Sequence, residues 1–126
     1  MLGVPRGGVV VAAEVARTLA LELDVVIVRK IGAPGQPEYA IGAIDEDGRV
    51  IGVRPGVADD TYLRCAADEG RAEIARRLTA YRGDHARPRM TGREVVVVDD
   101  GIATGFTLKA AVESVRHGGA ARVAVA

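Results

Sequence analysis

The apolar residues of this chain fall into short unbroken runs separated by stretches of helical spacing. Val95-Val96-Val97-Val98 is such a run, the pattern of a strand covered on both faces of a parallel sheet. Val25-Val26-Ile27-Val28 is another, inside a strand expected over Asp24–Lys30, and Met1–Val4 is a third. Arg122–Ala126 begins a further strand of the same buried kind. Between the first two strands in chain order, Val9–Leu21 places Val11, Val15 and Leu19 on one helical face, with Arg17 and Glu22 solvated. Strand, helix, strand at this spacing is a right-handed parallel crossover. A longer helix is expected over Asp60–Tyr81, with Leu63, Ala67, Ile74 and Leu78 on its buried side. Gly70 weakens its middle by about 1 kcal/mol relative to alanine. Leu108–His117 is the last helix, and Gly118-Gly119 ends it as a C-cap.

Between these elements, Ile31–Pro37 reads as a Gly/Pro loop, and Asp47-Gly48 between Ala40–Ile44 and Arg49–Val53 as a hairpin turn. Pro55 and Gly56 break the hairpin off, and Gly83–Gly92 is a polar connector. The expected fold is α/β: a Rossmann-like parallel sheet flanked by helices, with a small inserted hairpin. It occupies one domain, residues 1–126. The chain opens inside its first core strand and stops inside its last, so a domain trimmed at both ends is expected, rather than one that covers its edges by association.

Composition narrows the partners more than the fold. Of the 126 residues, 48% are hydrophobic but only 3% aromatic, so the core is aliphatic. Basic and acidic residues balance at 17 each, which gives no nucleic-acid footprint and no membrane-binding patch. No apolar run is long enough to span a bilayer and no signal peptide opens the chain. The lone Cys65 allows no internal disulfide. A cytoplasmic protein is expected. Cys65 is expected half-buried, and His85 and His117 lie apart and are expected at the surface. Ser114 lacks the Gly-x-Ser-x-Gly elbow of a hydrolase.

Chemistry concentrates at three strand ends. After Val95–Val98 come Asp99-Asp100-Gly101-Ile102-Ala103-Thr104-Gly105-Phe106-Thr107 and then a helix. In open α/β sheets ligands bind beyond the carboxyl ends of the strands, and free N–H groups at a helix start hold phosphate. Adjacent aspartates hold sugar hydroxyls or, through water, magnesium. Pro5-Arg6-Gly7-Gly8 follows the first strand and faces the same rim, and Arg29-Lys30 closes the second. An ordinary capped turn, a loose arginine and two solvated cations are the plain alternatives at each place.

The Val95–Thr107 segment resembles the phosphoribosyl pyrophosphate (PRPP) signature of the type I phosphoribosyltransferases: hydrophobic strand, two acidic residues, short spacer, Thr-Gly-x-Thr. Pro-Arg-Gly-Gly near the front, Arg-Lys-Ile-Gly-Ala-Pro-Gly in the middle and Asp-Asp-Gly-Ile-Ala-Thr-Gly later are similar to a less characterised branch of that family. The resemblance implies transfer of the 5-phosphoribosyl group from PRPP to a nitrogenous acceptor, commonly a nucleobase, with release of pyrophosphate and with Mg2+ as cofactor. It implies that the loop N–H groups of Ile102, Ala103, Thr104 and Gly105, with the hydroxyls of Thr104 and Thr107, grip the 5′-phosphate. Asp99 and Asp100 would hold the ribose hydroxyls directly or through magnesium. Pro5, Arg6, Gly7 and Gly8 would form the pyrophosphate loop, where the family sometimes carries a cis peptide between non-proline residues. Arg29 and Lys30 would neutralise pyrophosphate, so Arg6, Arg29, Lys30, Asp99 and Asp100 form the expected catalytic set. Glu38 and Tyr39 fall where the family carries a flexible hood. A homodimer serving nucleotide metabolism and nucleoside salvage is the expected setting.

One position departs from relatives acting on 6-oxopurines. Where those often carry an aspartate before the loop threonine, this chain has Ala103, which argues against a hypoxanthine–guanine enzyme and leaves other acceptors open. A PRPP- or nucleotide-binding regulatory module without catalysis is the alternative to an enzyme, although a pure sensor could lose Arg6 or Arg29-Lys30 and this chain keeps them. A dinucleotide domain fails, because no Gly-x-Gly-x-x-Gly follows any strand.

Overall fold

A computed structural model describes residues 1–102 and 104–126. Four parallel strands form the main sheet in the order β2-β1-β6-β7: β1 (Leu2–Gly3), β2 (Asp24–Val25), β6 (Glu94–Val98) and β7 (Arg122–Val125). Helix α1 (Gly7–Thr18) connects β1 to β2, and α3 (Phe106–His117) connects β6 to β7. A second, antiparallel sheet of β3 (Arg29–Ala33), β4 (Gln36–Ile44) and β5 (Val50–Ile51) is inserted before α2 (Asp60–Arg82). This is the α/β fold expected, with parallel strands flanked by helices. No helix among the described residues is long and apolar enough to cross a membrane.

The core follows the strand runs. Val97 and Val98 of β6 are buried, as are Val26 and Ile27 beyond β2. One cluster joins Leu2, Val95 and Val97 to Leu108, Ala111 and Val115 of α3. A second joins Val25, Ile27 and Ile44 to Ala67 and Ile74 of α2. Gly70 is the close-approach point of α2, because a Cβ there would come 2.7 Å from Ile44 Cγ2. The residue that weakens the helix locally is what lets it seat on β4. Leu63 and Leu78 pack at the margins of the buried side rather than in its centre.

Several boundaries and faces differ from the sequence expectation. Arg29 and Lys30 do not end a core strand. The parallel pairing stops at Val25, and Arg29-Lys30 open β3, paired antiparallel with Ile44 and Ala43. Ile31–Pro37 is not a loop but strand, tight turn and strand, with Gly35 at φ 70° in the turn, the conformation glycine adopts freely. Local composition signalled the turn and hid the strands on either side. Helix α1 starts two residues earlier than expected and buries Gly8, Ala12 and Ala16 instead of Val11, Val15 and Leu19. Leu19 is 60% exposed and Val11 43%. Small residues bring the helix close to the sheet, and that proximity decides the face over bulk hydrophobicity. Strand β7 is mostly exposed rather than buried, because nothing among the described residues pairs with its outer edge. Cys65 is exposed, on the solvent side of α2. His85 and His117 lie exposed at the surface, as expected.

Candidate functional site

The parallel register sets three loop starts at one rim. Gly3 lies level with Val25 on one side and Val98 on the other, so Pro5-Arg6, the chain after Val25, and Asp99-Asp100 all leave the sheet at its carboxyl edge. Val4 N–H donates to the Val98 carbonyl at 2.8 Å, carrying the ladder to the lip of the site.

Two glycines bring the loops together. A Cβ at Gly8 would lie 2.5 Å from the Val98 carbonyl oxygen and 2.9 Å from Asp99 Cα. A Cβ at Gly7 would overlap the Asp100 carboxylate. Only hydrogens at these positions allow the Pro5–Gly8 turn to lie against the acidic pair. The Pro5–Arg6 peptide is cis. Arg6 and Asp100 are exposed and Asp99 is half-buried.

The carboxylates have few protein partners. Asp100 N–H donates to Asp99 Oδ1 at 3.0 Å. Among the described residues neither aspartate pairs with a cation, and Arg6, Arg29 and Lys30 make no ion pair. Burial pushes the Asp99 carboxyl above the usual aspartate range, the Asp100 carboxyl acts in the same direction, and the Asp100 N–H opposes it. The same rim thus holds uncompensated charge of both signs.

The loop after Asp100 ends at Gly105, φ 71°, the left-handed conformation that admits a glycine at the N-cap of α3. Phe106 N–H donates to Thr104 Oγ1 at 3.4 Å. Gly101, Ile102 and Thr104 are exposed, while Phe106 and Thr107 are partly covered in the first turn. Ala103 lies outside the described residues. The loop is therefore an exposed helix N-terminus beside two carboxylates.

Arg29 and Lys30 diverge. Ile31 and Ala33 share the Arg29 face of β3 and pack on Tyr62 and Leu63 of α2. The Arg29 stem runs along that helix, with Cδ 3.7 Å from the Cβ position of Gly70. Lys30 stands on the other face, opposite Ala43, and Ala43 packs with Leu108 and Ala111 of α3. Lys30 is thus turned to the side of the acidic loop and Arg29 to α2. Sequence spacing placed both cations at the rim but could not separate them, since the face of each depends on the antiparallel register.

Tyr39 and Glu38 lie exposed on β4, and Arg54 reaches Tyr39, donating to its hydroxyl at 2.8 Å with the guanidinium 5.0 Å from the ring centre. The rim is open to solvent, with Arg6, Asp100, Gly101, Ile102 and Thr104 all exposed.

One polar cluster escaped the sequence reading. Arg82 Nε donates to Asp24 at 3.0 and 3.1 Å, and Nη1 donates to Glu46 Oε2 at 3.1 Å. Glu46 Oε1 accepts from Ile27 N–H at 2.9 Å. Ile27 lies where the parallel ladder has ended, so this carboxylate replaces a strand partner. Residues 24, 46 and 82 are too far apart in sequence for any motif to signal them.

A family model described as phosphoribosyl transferase domain matches residues 1–126. Two Mycobacterium tuberculosis proteins, from strains CDC 1551 / Oshkosh and H37Rv, each bear the name "putative phosphoribosyl transferase" and are 48% identical over the whole of this chain. The chain spans 29% of their length. An orotate phosphoribosyltransferase of Streptomyces coelicolor is 33% identical over 93% of this chain and 73% of its own. A crystal structure of a Thermus thermophilus protein superposes with a TM-score of 0.86 at 49% identity, over 98% of this chain and 61% of that one.

Proposed function

The chain belongs to the phosphoribosyl transferase domain family, and from that premise we propose that its carboxyl-edge rim binds PRPP and transfers the phosphoribosyl group to a nitrogen acceptor, releasing pyrophosphate. The observation that carries this reading is the contact of the Gly7-Gly8 turn with Asp99-Asp100. It sets a backbone-lined anion loop directly beside two carboxylates that lack protein cations among the described residues. A sugar bearing phosphate at one end and pyrophosphate at the other needs both kinds of partner within one molecule's length.

In this reading the N–H groups and hydroxyls of the Gly101–Thr107 loop hold the 5′-phosphate at the start of α3. Asp99 and Asp100 accept from the ribose hydroxyls. Arg6 and Lys30 face the pyrophosphate, Lys30 as a point charge and Arg6 as a planar fork. The acceptor nitrogen forms a bond to C1′ while the bond from C1′ to the pyrophosphate oxygen breaks, its electron pair leaving with pyrophosphate. The acceptor proton passes to solvent or base. The protein's contribution is positioning and neutralisation of the departing charge.

Magnesium fits the donor set in one way. Asp99 and Asp100 are adjacent and have no cationic partner, but no third His, Cys, Asp or Glu joins them to complete a cage among the described residues. That suits an ion that shares its shell with substrate phosphates. Asp99 and Asp100 would hold it, and when bound it would offset charge on the pyrophosphate. The relationship to an orotate enzyme makes orotate the first acceptor to try, followed by uracil and adenine.

The test is calorimetric titration with PRPP, with and without magnesium, followed by a pyrophosphate-release assay over those acceptors. Magnesium-dependent binding that disappears in Asp99→Asn/Asp100→Asn is expected. A folded wild type that binds no PRPP overturns the proposal. Tight binding without pyrophosphate release from any acceptor would reduce it to ligand binding.

A further inference from the structure

A groove runs away from the donor rim between the start of α1 and the carboxyl-terminal half of α2. At one end Arg6, Arg76 and Arg77 line it. Arg77 and Tyr81 lie four residues apart on one strip of α2, and Ala80 beside them leaves the space open. Tyr81 also lines the adjoining cleft, where Val9, Leu23 and His85 form the wall. The two clefts therefore meet at one aromatic ring, which is 39% exposed.

The two ends differ in chemistry. At the basic end three arginines line the groove, and the one carboxylate engaged with them, Glu73, accepts from Arg76 and Arg77 at 2.7–2.8 Å. A net positive charge remains, and Arg6 has no acidic partner among the described residues. At the far end the acidic residues are already engaged, Asp24 by Arg82 and Glu22 by Arg93. What remains there is apolar surface, an imidazole and the Tyr81 ring.

We propose that this groove is a second binding site, for a nucleoside polyphosphate, separate from the PRPP rim. The phosphates lie against Arg76 and Arg77 and the base stacks on Tyr81. Guanidinium forks match phosphate oxygens, and an exposed aromatic face accepts any base. Because Arg6 lines the groove and also belongs to the Pro5–Gly8 turn, an occupant draws on a cation that the donor rim uses. Occupation of the groove therefore weakens binding at the rim.

The probe is ATP, titrated calorimetrically without divalent cations, alongside adenosine and inorganic tripolyphosphate. ATP is expected to bind more tightly than either fragment. Arg76→Gln/Arg77→Gln and Tyr81→Leu are each expected to weaken it by about tenfold, whereas Tyr81→Phe retains it. Asp99→Asn/Asp100→Asn is expected to bind ATP as wild type does. Circular dichroism melts verify that each variant is folded. Absence of ATP binding by the wild type, or full affinity in both groove variants, overturns the proposal. Loss of ATP binding in the aspartate variant assigns the nucleotide to the donor rim and overturns it too. Equal affinity for tripolyphosphate and ATP removes the nucleoside from it.

Discussion

Two groups of charged side chains lie a short distance apart in this molecule and are treated in opposite ways. Asp24, Glu46 and Arg82 are nearly sealed from water, with side chains 10%, 3% and 10% exposed, and each meets its complement within hydrogen-bond distance. Asp99, Asp100 and Arg6 lie at the carboxyl edge of the parallel sheet, Lys30 stands on the face of β3 turned to the same side, and all four leave their charges without protein partners among the described residues. The first group completes a structural seam where β2 ends and the antiparallel sheet begins. The second has no electrostatic complement within the protein among the described residues, which is what the proposed ligand would supply. Charge by itself therefore does not mark a site; charge that the fold declines to satisfy does.

The sharpest way to break this contrast is to open the sealed group. Arg82→Met leaves buried Asp24 without a cation among the described residues and Glu46 with only the longer contact to Arg87, at 3.6 Å. It should destabilise the protein by roughly 3–5 kcal/mol, read as a lower urea midpoint. A loss below about 1 kcal/mol would show that water reaches the cluster.

Next comes the open group. Asp99→Asn/Asp100→Asn should cost PRPP affinity about 2 kcal/mol or more, yet raise the unliganded melting temperature at neutral pH. Removing charge helps the fold where the fold gave that charge no partner. A fall in melting temperature would place these aspartates with the structural group.

A smaller effect separates the paired cations. Lys30→Ala should weaken PRPP binding about tenfold, a loss on the order of one charge-assisted hydrogen bond, and Arg29→Ala by clearly less, because its stem lies along α2. Equal losses in the two titrations would contradict the assigned faces of β3.

The smallest effect is in pH dependence. The Asp99 carboxyl has a raised pKa in the folded protein because burial and Asp100 disfavour its charge. Its stabilising contribution is complete below the unfolded value and is lost as pH rises through the folded value. The stability gain of Asp99→Asn should therefore vanish in acid and appear above the ordinary aspartate range. Glu73 runs the other way. Its side-chain hydrogen bonds to Arg76 and Arg77 lower it from 4.5 to about 2, so its contribution is present above the ordinary glutamate range and lost as pH falls towards about 2. Melting curves of Asp99→Asn and Glu73→Gln across pH distinguish the two signs.

Much of the candidate site was legible in the chain, for a physical reason. Its loops are local: a strand end, a glycine turn and a helix start are contiguous in sequence, so Pro5–Gly8 and Asp99–Thr107 declare both conformation and chemistry over a few residues. Apolar run lengths likewise determined the parallel sheet and its flanking helices, because a strand covered on both faces has no freedom to place polar residues. What depends on long-range packing was not legible. The buried face of α1 went to Gly8, Ala12 and Ala16, since close approach to the sheet outweighs the larger apolar area of Val11 and Leu19. The segment from Arg29 to Ala33 became strand because β4 was there to pair with it, and that pairing alone turned Lys30 and Arg29 to opposite faces. The sealing of Arg82 between Asp24 and Glu46 needed three elements to meet. The sequence by itself determined which loops form the candidate site and which charged residues they bear; only the tertiary structure decided which charges are satisfied and which are left open, because satisfaction is a property of neighbours that the chain order does not contain.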